Sequence, residues 1–278
     1  MGAAVADAGR VPPGLDVTKP NIARVYDAFL GGKDNFAVDR QVVDFALQVT
    51  PDAPVGARAN RAFLRRVVRY LTAQAGIRQL VDIGSGLPTQ GNVHEVAQED
   101  VPETRVVYVD CAPLVRVPAQ ALLATGPGTM FLTADLREPQ TILHDAAVRE
   151  FIDFSRPVGL LLFAILHHIN DDEDPAGIAA KLRAELAPGS YLAISSFRMP
   201  GPEHPEDAAK TAEMEKLFNE KLGTGRWRGQ EEILAWFGDW DLLDPGLVPL
   251  PEWRPDVRGQ VKRNATYHGF VGGVARKP

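Results

Sequence analysis

An acid and two closely spaced glycines stand at the end of an early apolar run and could hold a cofactor. The run covers residues 80–83 and contains Asp82, and Gly84 and Gly86 follow it directly. This pattern predicts a buried strand with a sharp turn at its carboxyl end, because glycine has no Cβ and lets a ligand approach the peptide groups. The next predicted helix, with Asn92 as its N-cap, would offer unpaired N–H groups to a carboxylate or phosphate. The turn therefore indicates a ligand site.

The third position of the glycine pattern separates two classes of cofactor. A dinucleotide-binding turn carries Gly-x-Gly-x-x-Gly, whereas this chain has Pro88 and then Thr89, which occupies the third glycine position. The departure argues against a nicotinamide or flavin cofactor. A nicotinamide-dependent enzyme on a related fold is kept as an alternative, and Thr89 is kept as a predicted contact in the cofactor turn.

Two more acids end the next two apolar runs. Asp110 follows residues 106–109, and Asp135 follows residues 129–134. Three successive strand ends that each carry an acid resemble the cofactor site of class I S-adenosylmethionine-dependent methyltransferases. A carboxylate can accept hydrogen bonds from two hydroxyl groups, and an exocyclic amine needs an acceptor, so the residue types suit a ribose and an adenine.

That resemblance implies that the glycine turn holds the methionyl part of S-adenosylmethionine. Asp110 would accept hydrogen bonds from both ribose hydroxyls, and Asp135 with the backbone of Leu136 would take the adenine. Cys111 would lie near the adenine. The predicted cofactor contacts in this part of the chain are Asp82, Gly84, Gly86, Thr89, Asp110, Cys111, Asp135, Leu136 and Ala164.

Two adjacent histidines, His167 and His168, follow the fourth apolar run. A histidine titrates near neutral pH and could remove a proton from a hydroxyl or amine, so either one is a candidate catalytic base. The alternative is that one packs beside the cofactor and the other caps the strand end. A metal site with Asp171 and Asp172 is disfavoured because adjacent residues on an extended chain point apart. We therefore predict no metal.

The N-terminal segment combines helical periodicity with a glycine pair. Tyr26 and Phe29 fall on one apolar helix face, and Gly31 and Gly32 would end that helix. A glycine pair can serve as a hinge, and an aromatic face can contact a cationic sulfur. We predict that Tyr26, Gly31 and Gly32 form a lid over the cofactor and that Phe29 packs in the helix core.

Beyond residue 78 the apolar pattern alternates between strand-like and helix-like segments, which is typical of an α/β fold with a parallel sheet. The predicted fold is Rossmann-like, with a seven-stranded, mostly parallel sheet, an antiparallel last strand and an added N-terminal helical segment. The predicted regions are a disordered tail (1–15), a helical lid segment (16–75) and a cofactor-binding core (76–278). The predicted strands are 79–83, 105–110, 129–133, 158–164, 190–196, 241–249 and 266–275. The predicted core helices are 92–99, 113–125, 140–149, 175–186, 205–222 and 230–237.

Charge and composition narrow the expected partners. The 278-residue chain has a net charge of −6, so bulk attraction to nucleic acid or an anionic membrane is not expected. The longest apolar run, 158–166, is far shorter than the ~20 residues that span a bilayer. The single cysteine excludes an intrachain disulfide. We expect a cytoplasmic protein that acts on a small molecule. The sequence does not determine its oligomeric state.

Two groups of arginines leave structural and functional interpretations open. Five recur at helical spacing and could form a basic stripe, although a solvated helix face is favoured by the overall charge. They are Arg58, Arg61, Arg65, Arg66 and Arg69. Trp227 stands between Arg226 and Arg228. It could bind a flat or anionic substrate, or it could anchor its loop.

The segment 19–36, KPNIARVYDAFLGGKDNF, is too specific for a generic helix. It resembles the N-terminal signature of a bacterial family of predicted S-adenosylmethionine-dependent methyltransferases. The similarity continues through 81–89, 92–95, 106–110, 134–137, 156–158, 252–255 and 272–278. It implies the fold and the cofactor and leaves the substrate open. We therefore predict methyl transfer to an oxygen or nitrogen of a small molecule. A non-catalytic protein that senses S-adenosylmethionine or S-adenosylhomocysteine is the alternative.

Overall fold

A computed structural model describes residues 16–88, 91–123, 126–257, 259 and 261–278. The predicted disordered tail and Thr89 lie outside the described residues. No helix in the described ranges is long and apolar enough to cross a membrane.

One mixed sheet forms the centre of the molecule. Its first five strands are parallel neighbours, and a long antiparallel strand packs beside the fifth. The spatial order is β3-β2-β1-β4-β5-β8-β6, with β7 also paired to β8. The strands are β1 (Gln79–Ile83), β2 (Arg105–Asp110), β3 (Thr129–Thr133), β4 (Gly159–Phe163), β5 (Tyr191–Phe197), β6 (Asp241–Leu242), β7 (Val248–Pro249) and β8 (Phe270–Arg276). The prediction of a mostly parallel α/β sheet with an antiparallel final strand is confirmed.

Helices cover both faces of this sheet and its carboxyl edge. Those before β1 are α1 (Ile22–Phe29), α2 (Ala37–Val49) and α3 (Ala53–Arg69), and a π-helical turn, Tyr70–Gln74, continues α3. The helices between strands are α4 (Val93–Asp100), α5 (Pro113–Leu122), α6 (Pro139–Leu143), α7 (Ala146–Phe151) and α8 (Pro175–Ala184). The later ones are α9 (Pro205–Leu222), α10 (Gln230–Ala235) and α11 (Ala265–His268). Four of these helices begin with proline, which is tolerated there because a first-turn N–H has no helical partner.

Three segments differ from the predicted elements. The predicted helix 140–149 is two helices, because Asp145 accepts hydrogen bonds from the N–H groups of Ala147 and Val148 and starts α7 anew. The predicted strand 241–249 is split into β6 and β7 around the turn at Pro245, which has no N–H for a sheet ladder. The first part of the predicted strand 266–275 is α11, which Asn264 caps. In the part of the chain that the structure describes, the sheet therefore has eight strands where seven were expected.

The N-terminal helices pack with α9 above the carboxyl edge of the sheet. Their shared core includes Val25 and Val42 together with Met214 and Phe218 of α9. A buried ion pair joins Arg24 on α1 to Asp39 on α2 at 2.7 Å. These contacts cover the edge where the strands and their acids end. The division into a lid segment and a core remains an interpretation of this packing.

Candidate functional site

A cavity of about 310 Å³ lies between the carboxyl ends of the strands and the helices α1, α3 and α9. Its floor includes Asp82, Gly84, Gly86 and Asp110 from β1, β2 and the turn after β1. The parallel register explains this meeting, since β1 pairs in parallel with both β2 and β4 and all three end at one edge. The acids and glycines that lie far apart in the sequence thus meet in one cavity.

The turn after β1 forms a cradle of backbone groups. Gly84 and Gly86 adopt left-handed conformations with φ of +78° and +65°, which glycine enters without a steric cost. A Cβ on Gly84 would collide with the side chain of Ile165, and a Cβ on Gly86 would project into open space. The hydroxyl oxygen of Ser85 is buried and has no hydrogen-bond partner among the described residues. The turn thus offers room and polar groups for a ligand.

Asp110 holds this turn in place. Its Oδ2 accepts a hydrogen bond from the Gly86 N–H at 2.9 Å, and its Oδ1 accepts one from the Ala112 N–H at 2.8 Å. Burial raises the pKa of Asp110, while these N–H groups act in the opposite direction. A carboxylate with free acceptor positions therefore lies at the mouth of the cradle, as a diol-binding group would require.

Asp82 is the most strongly perturbed acid of the cavity. Burial raises the pKa of Asp82 from 3.8 to about 7, the positive charge of Arg61 opposes this rise, and the charge of Asp110 adds to it. Arg61 lies on α3, lines the cavity and donates from Nη2 to the Gly91 carbonyl at 2.9 Å. An acid and an arginine at one end of a cavity can bind the ammonium and carboxylate of an amino acid.

The expectation of a solvated arginine face on α3 is wrong for Arg61 and Arg66, whereas the Arg69 side chain is exposed, as expected. Arg61 lines the cavity. Arg66 donates to the carbonyls of Leu250 and Trp253 at 2.7 and 2.8 Å, and Arg69 contacts Asp256 at 2.7 Å. Helical spacing showed that these residues share a side of α3. It could not show that residues 250–256 cover that side.

Asp135 and Leu136 lie beside the cavity but outside its lining. The guanidinium of Arg137 contacts both carboxylate oxygens of Asp135, at 2.7 to 3.0 Å, and also Glu173 at 2.8 Å. The hydrogen bonds from Arg137 lower the pKa of Asp135. Leu136 is buried in the core on one face of the sheet. Their contact with adenine stays a prediction, and it requires the adenine to extend past Cys111, which lines the cavity.

Gly31 and Gly32 are exposed and do not line the cavity. Gly31 has φ of +79° and follows the end of α1. A Cβ on Gly32 would collide with the Asp27 carboxylate, which accepts hydrogen bonds from the Asp34 N–H and the Asn35 side chain at 2.9 Å each. The glycine pair is therefore needed for a tight turn around Asp27, which is a structural reason that the sequence pattern did not reveal.

Tyr26 lines the cavity and anchors a chain of hydrogen bonds across it. Its hydroxyl donates to the Ala57 carbonyl at 3.2 Å and accepts from Asn60 Nδ2 at 3.0 Å. Asn60 Oδ1 accepts from Ser195 Oγ at 2.6 Å, and Ser195 Oγ accepts from the Ala164 N–H at 2.9 Å. Ala164 lines the cavity with φ of +53°, a left-handed conformation that is rare for alanine. The chain links α1 and α3 to the ends of β4 and β5.

Asn60 and Ser195 were missed by the sequence analysis. Both are buried, Asn60 on the otherwise apolar side of α3 and Ser195 within an apolar strand. A polar residue inside an apolar stripe is the signal that could have identified them, because such a residue needs a partner.

His167 and His168 both line the cavity, and their rings lie 4.4 Å apart between centroids. His167 Nδ1 accepts a hydrogen bond from the Phe197 N–H at 3.2 Å, so the proton of the neutral ring belongs on Nε2. Burial, followed by the charges of His168 and Arg228, lowers the pKa of His167 well below its usual value. Burial also lowers the pKa of His168, to about 4. Both rings are thus neutral at physiological pH, and their catalytic role stays a prediction.

The residues considered for a metal site beside these histidines do not come together. Asp171 is exposed and pairs with Arg228 at 2.6 Å, and Asp172 is exposed. A different group of possible ligands, His204, Asp207 and His268, lies at the start of α9. There, His268 Nδ1 contacts Asp207 at 2.7 Å and the two imidazoles stack at 3.7 Å. The group is therefore a hydrogen-bonded pair, His268 and Asp207, with the His204 ring stacked on it.

Comparison with known proteins gives the same fold over nearly the whole chain. Residues 9–278 match a family model described as S-adenosyl methyltransferase. A crystal structure described as a candidate methyltransferase from Thermobifida fusca is 44% identical, with a TM-score of 0.89 and coverage of 96% of this chain and 98% of that one. A DUF574 family protein from Streptomyces avermitilis is 37% identical, with a TM-score of 0.87 and coverage of 95% and 99%.

A more distant comparison adds only the fold. An O-methyltransferase family protein from Burkholderia thailandensis is 15% identical, with a TM-score of 0.52 and coverage of 83% of this chain and 61% of that one. The comparison with curated proteins found no match.

Proposed function

This chain belongs to the S-adenosyl methyltransferase family, and we propose that it transfers a methyl group from S-adenosylmethionine to an oxygen or nitrogen of a small molecule. Family membership makes it an enzyme with S-adenosylmethionine as cofactor, and so favours catalysis over the sensor and nicotinamide alternatives. The observation that carries the proposal is the cavity itself. It brings the glycine cradle, the buried Asp82, the partly buried Asp110 and two neutral histidines into one cavity.

The residues of the cradle fit the cofactor. Asp82 and Arg61 would hold the amino acid end, since an acid binds an ammonium and an arginine binds a carboxylate. Asp110 would accept hydrogen bonds from the ribose hydroxyls while its contacts to Gly86 and Ala112 keep it oriented. The unpaired hydroxyl of Ser85 and the open space beside Gly86 leave room for this ligand. When bound, the cofactor supplies a methyl group on a positively charged sulfur.

The remainder of the cavity would orient the methyl acceptor and exclude water. Orientation alone can supply much of the rate of a displacement reaction. Tyr26 and Asn60 close one side through their hydrogen bonds to the ends of β4 and β5. His168 would accept the proton of the acceptor group, because its ring is neutral and its Nδ1 has no partner among the described residues.

Calorimetric titration with S-adenosylmethionine, S-adenosylhomocysteine and NAD tests the cofactor site. Micromolar binding of the first two and none of NAD is expected. Asp110→Asn should weaken both by about tenfold or more, because a charge-assisted acceptor is lost. Asp256→Asn, an exposed acid far from the cradle in the sequence and bound to Arg69, serves as the matched control. Equal binding by both variants would remove Asp110 from the cofactor site.

A further inference from the structure

The charged side chains that line the cavity lie at its cofactor end, with the exception of Asp27. Among the described residues, the charged members of its lining are Asp27, Arg61, Asp82 and Asp110. The last three surround the glycine cradle. Asp27 Oδ2 accepts hydrogen bonds from the Asp34 N–H and the Asn35 side chain, and Asp27 Oδ1 lies against Gly32, so this carboxylate is held by the turn that follows α1. The space that remains for the methyl acceptor thus has no positively charged side chain among the described residues of its lining.

Aromatic rings form one wall of that space. Three of them are stacked in parallel, and two more pack against this stack. His167 stacks on Phe197 with centroids 3.6 Å apart, and Phe197 stacks on Trp227 with centroids 4.1 Å apart. Phe218 meets Trp227 edge to face at 5.6 Å, and Phe270 packs against Phe197 at 5.0 Å. His167 and Trp227 thus cover the two faces of Phe197, and the wall is a packed group of aromatic rings. Such a wall favours a flat aromatic ligand over a flexible aliphatic one.

The arginines on either side of Trp227 do not make this wall basic. The buried guanidinium of Arg228 donates to the Ile169 carbonyl at 2.8 Å and pairs with Asp171 at 2.6 Å. Arg226 lies 4.0 Å from Glu215. Neither arginine lines the cavity, although Trp227 does. An anionic group placed here would lose its water without gaining a cation, which is strongly unfavourable.

Three polar atoms of residues that line the same space have no partner among the described residues. They are Oγ1 of Thr266, Nε2 of His167 and Nδ1 of His168, and the last two lie on neighbouring rings. The His167 Nε2 carries a proton, because its Nδ1 accepts the Phe197 N–H, and it is therefore a donor. His168 is neutral and can take the tautomer that accepts. A donor and an acceptor on neighbouring rings match one hydroxyl group, which both accepts and donates. Buried polar groups are normally paired, so this pair calls for a ligand.

We infer that the methyl acceptor is an uncharged aromatic molecule with a hydroxyl group, which packs in the aromatic-lined half of the cavity and is hydrogen-bonded by His167 and His168. This inference rests on the proposed function, since it assigns the acceptor half of the same cavity. In this arrangement His167 donates a hydrogen bond to the hydroxyl oxygen of the methyl acceptor, and His168 accepts the hydroxyl proton.

Equilibrium dialysis near neutral pH, on protein saturated with S-adenosylhomocysteine, tests the inference with three matched probes. These are 2-naphthol, naphthalene and 2-naphthoate. We expect 2-naphthol to bind about tenfold tighter than naphthalene, which corresponds to one net hydrogen bond. We expect 2-naphthoate to bind at least about tenfold more weakly than 2-naphthol, because its charge finds no partner.

Two variants separate recognition of the hydroxyl from general packing. His167→Phe keeps a flat ring but removes the donor, so it should abolish the preference for 2-naphthol over naphthalene while naphthalene still binds. Trp227→Ala should weaken both neutral probes by about tenfold, as expected for loss of an aromatic contact. Trp240→Phe, a change in the buried core away from the cavity lining, should alter neither. If His167→Phe fails to fold, His168→Phe provides the same comparison.

The outcomes distinguish this inference from the proposed function. If S-adenosylhomocysteine binds and 2-naphthoate equals or exceeds 2-naphthol, the inference is overturned and the methyltransferase assignment stands. A His167→Phe variant that weakens 2-naphthol and naphthalene equally would overturn the hydroxyl contact. Failure of the wild-type protein to bind S-adenosylhomocysteine would overturn the proposed function, and the inference with it.

Discussion

Asp82→Asn should make the cofactor-free protein more stable at alkaline pH and leave its stability unchanged in acid. Asp82 is 5% exposed, and its burial raises the pKa of its carboxyl from 3.8 to about 7. Between these two values the folded protein keeps the proton that the unfolded chain has lost. Stability therefore falls as the pH rises through this window, and the loss is complete above about pH 7.

The size of the effect follows from the same interval. Roughly 3 pH units at about 1.4 kcal/mol each give a penalty of about 4 kcal/mol for the ionised carboxylate, as an order of magnitude. Asparagine resembles the neutral acid in shape and does not titrate. The variant should therefore match the wild type near pH 4 and exceed it by a few kcal/mol near pH 8. Asp110 remains in both proteins, so its own raised pKa largely cancels in the comparison.

Urea unfolding of both proteins across this pH range measures the difference directly. Asp44→Asn, a change of an exposed acid on α2, controls for the substitution itself. A difference between Asp82→Asn and the wild type that stays constant from acid to alkaline pH would refute the reasoning. Calorimetry on the same samples should show weaker S-adenosylmethionine binding by Asp82→Asn, because the carboxylate proposed to meet the ammonium group is gone. A stabilised variant with unchanged affinity would separate burial of Asp82 from a role in cofactor binding.

Three further changes test contacts that hold the site together. Asp39→Ala should destabilise the protein by about 3–5 kcal/mol in urea unfolding, because it leaves the buried Arg24 without its carboxylate. Asp256→Ala breaks an exposed pair and should cost at most about 1 kcal/mol; similar losses from the two variants would contradict the importance of burial. Asn60→Leu should lower stability by about 1–3 kcal/mol, because it removes the amide hydrogen bonds to the Tyr26 and Ser195 hydroxyls and leaves the Ser195 proton without its acceptor, and a Tm equal to that of the wild type would show that water replaces the amide. Binding of S-adenosylmethionine should weaken on acidification, because burial raises the pKa of Asp110 above its usual range and protonation then removes the acceptor; calorimetry showing no loss on acidification of a folded sample would count against a charged ribose contact.

Local patterns were sufficient for the sheet and the cofactor edge. Each of the first three strands is a short apolar run that ends in or beside an acid, and each prediction agrees with the structure to within a residue. First-turn prolines such as Pro113 and Pro175 marked helix starts correctly. These signals depend on neighbours within a few residues, where backbone conformation and capping are decided. The segments 140–149 and 241–249 are each divided in the structure, the first by the helix cap at Asp145 and the second by the turn at Pro245. The apolar periodicity runs through both points and therefore did not predict them.

The chemistry of the acceptor half depended on contacts between distant parts of the chain. Ser195 and Asn60 are 135 residues apart, and Trp227 reaches the cavity while Arg226 and Arg228 on either side of it do not. Likewise, only the Phe197 N–H sets the tautomer of His167. The sequence by itself determined which segments form the five parallel strands, where their acids and glycines stand, and hence the fold and the cofactor. Tertiary structure decided which polar groups are buried, which are paired and which are left for a ligand, because the packing of helices on the sheet sets those distances and periodicity does not encode them.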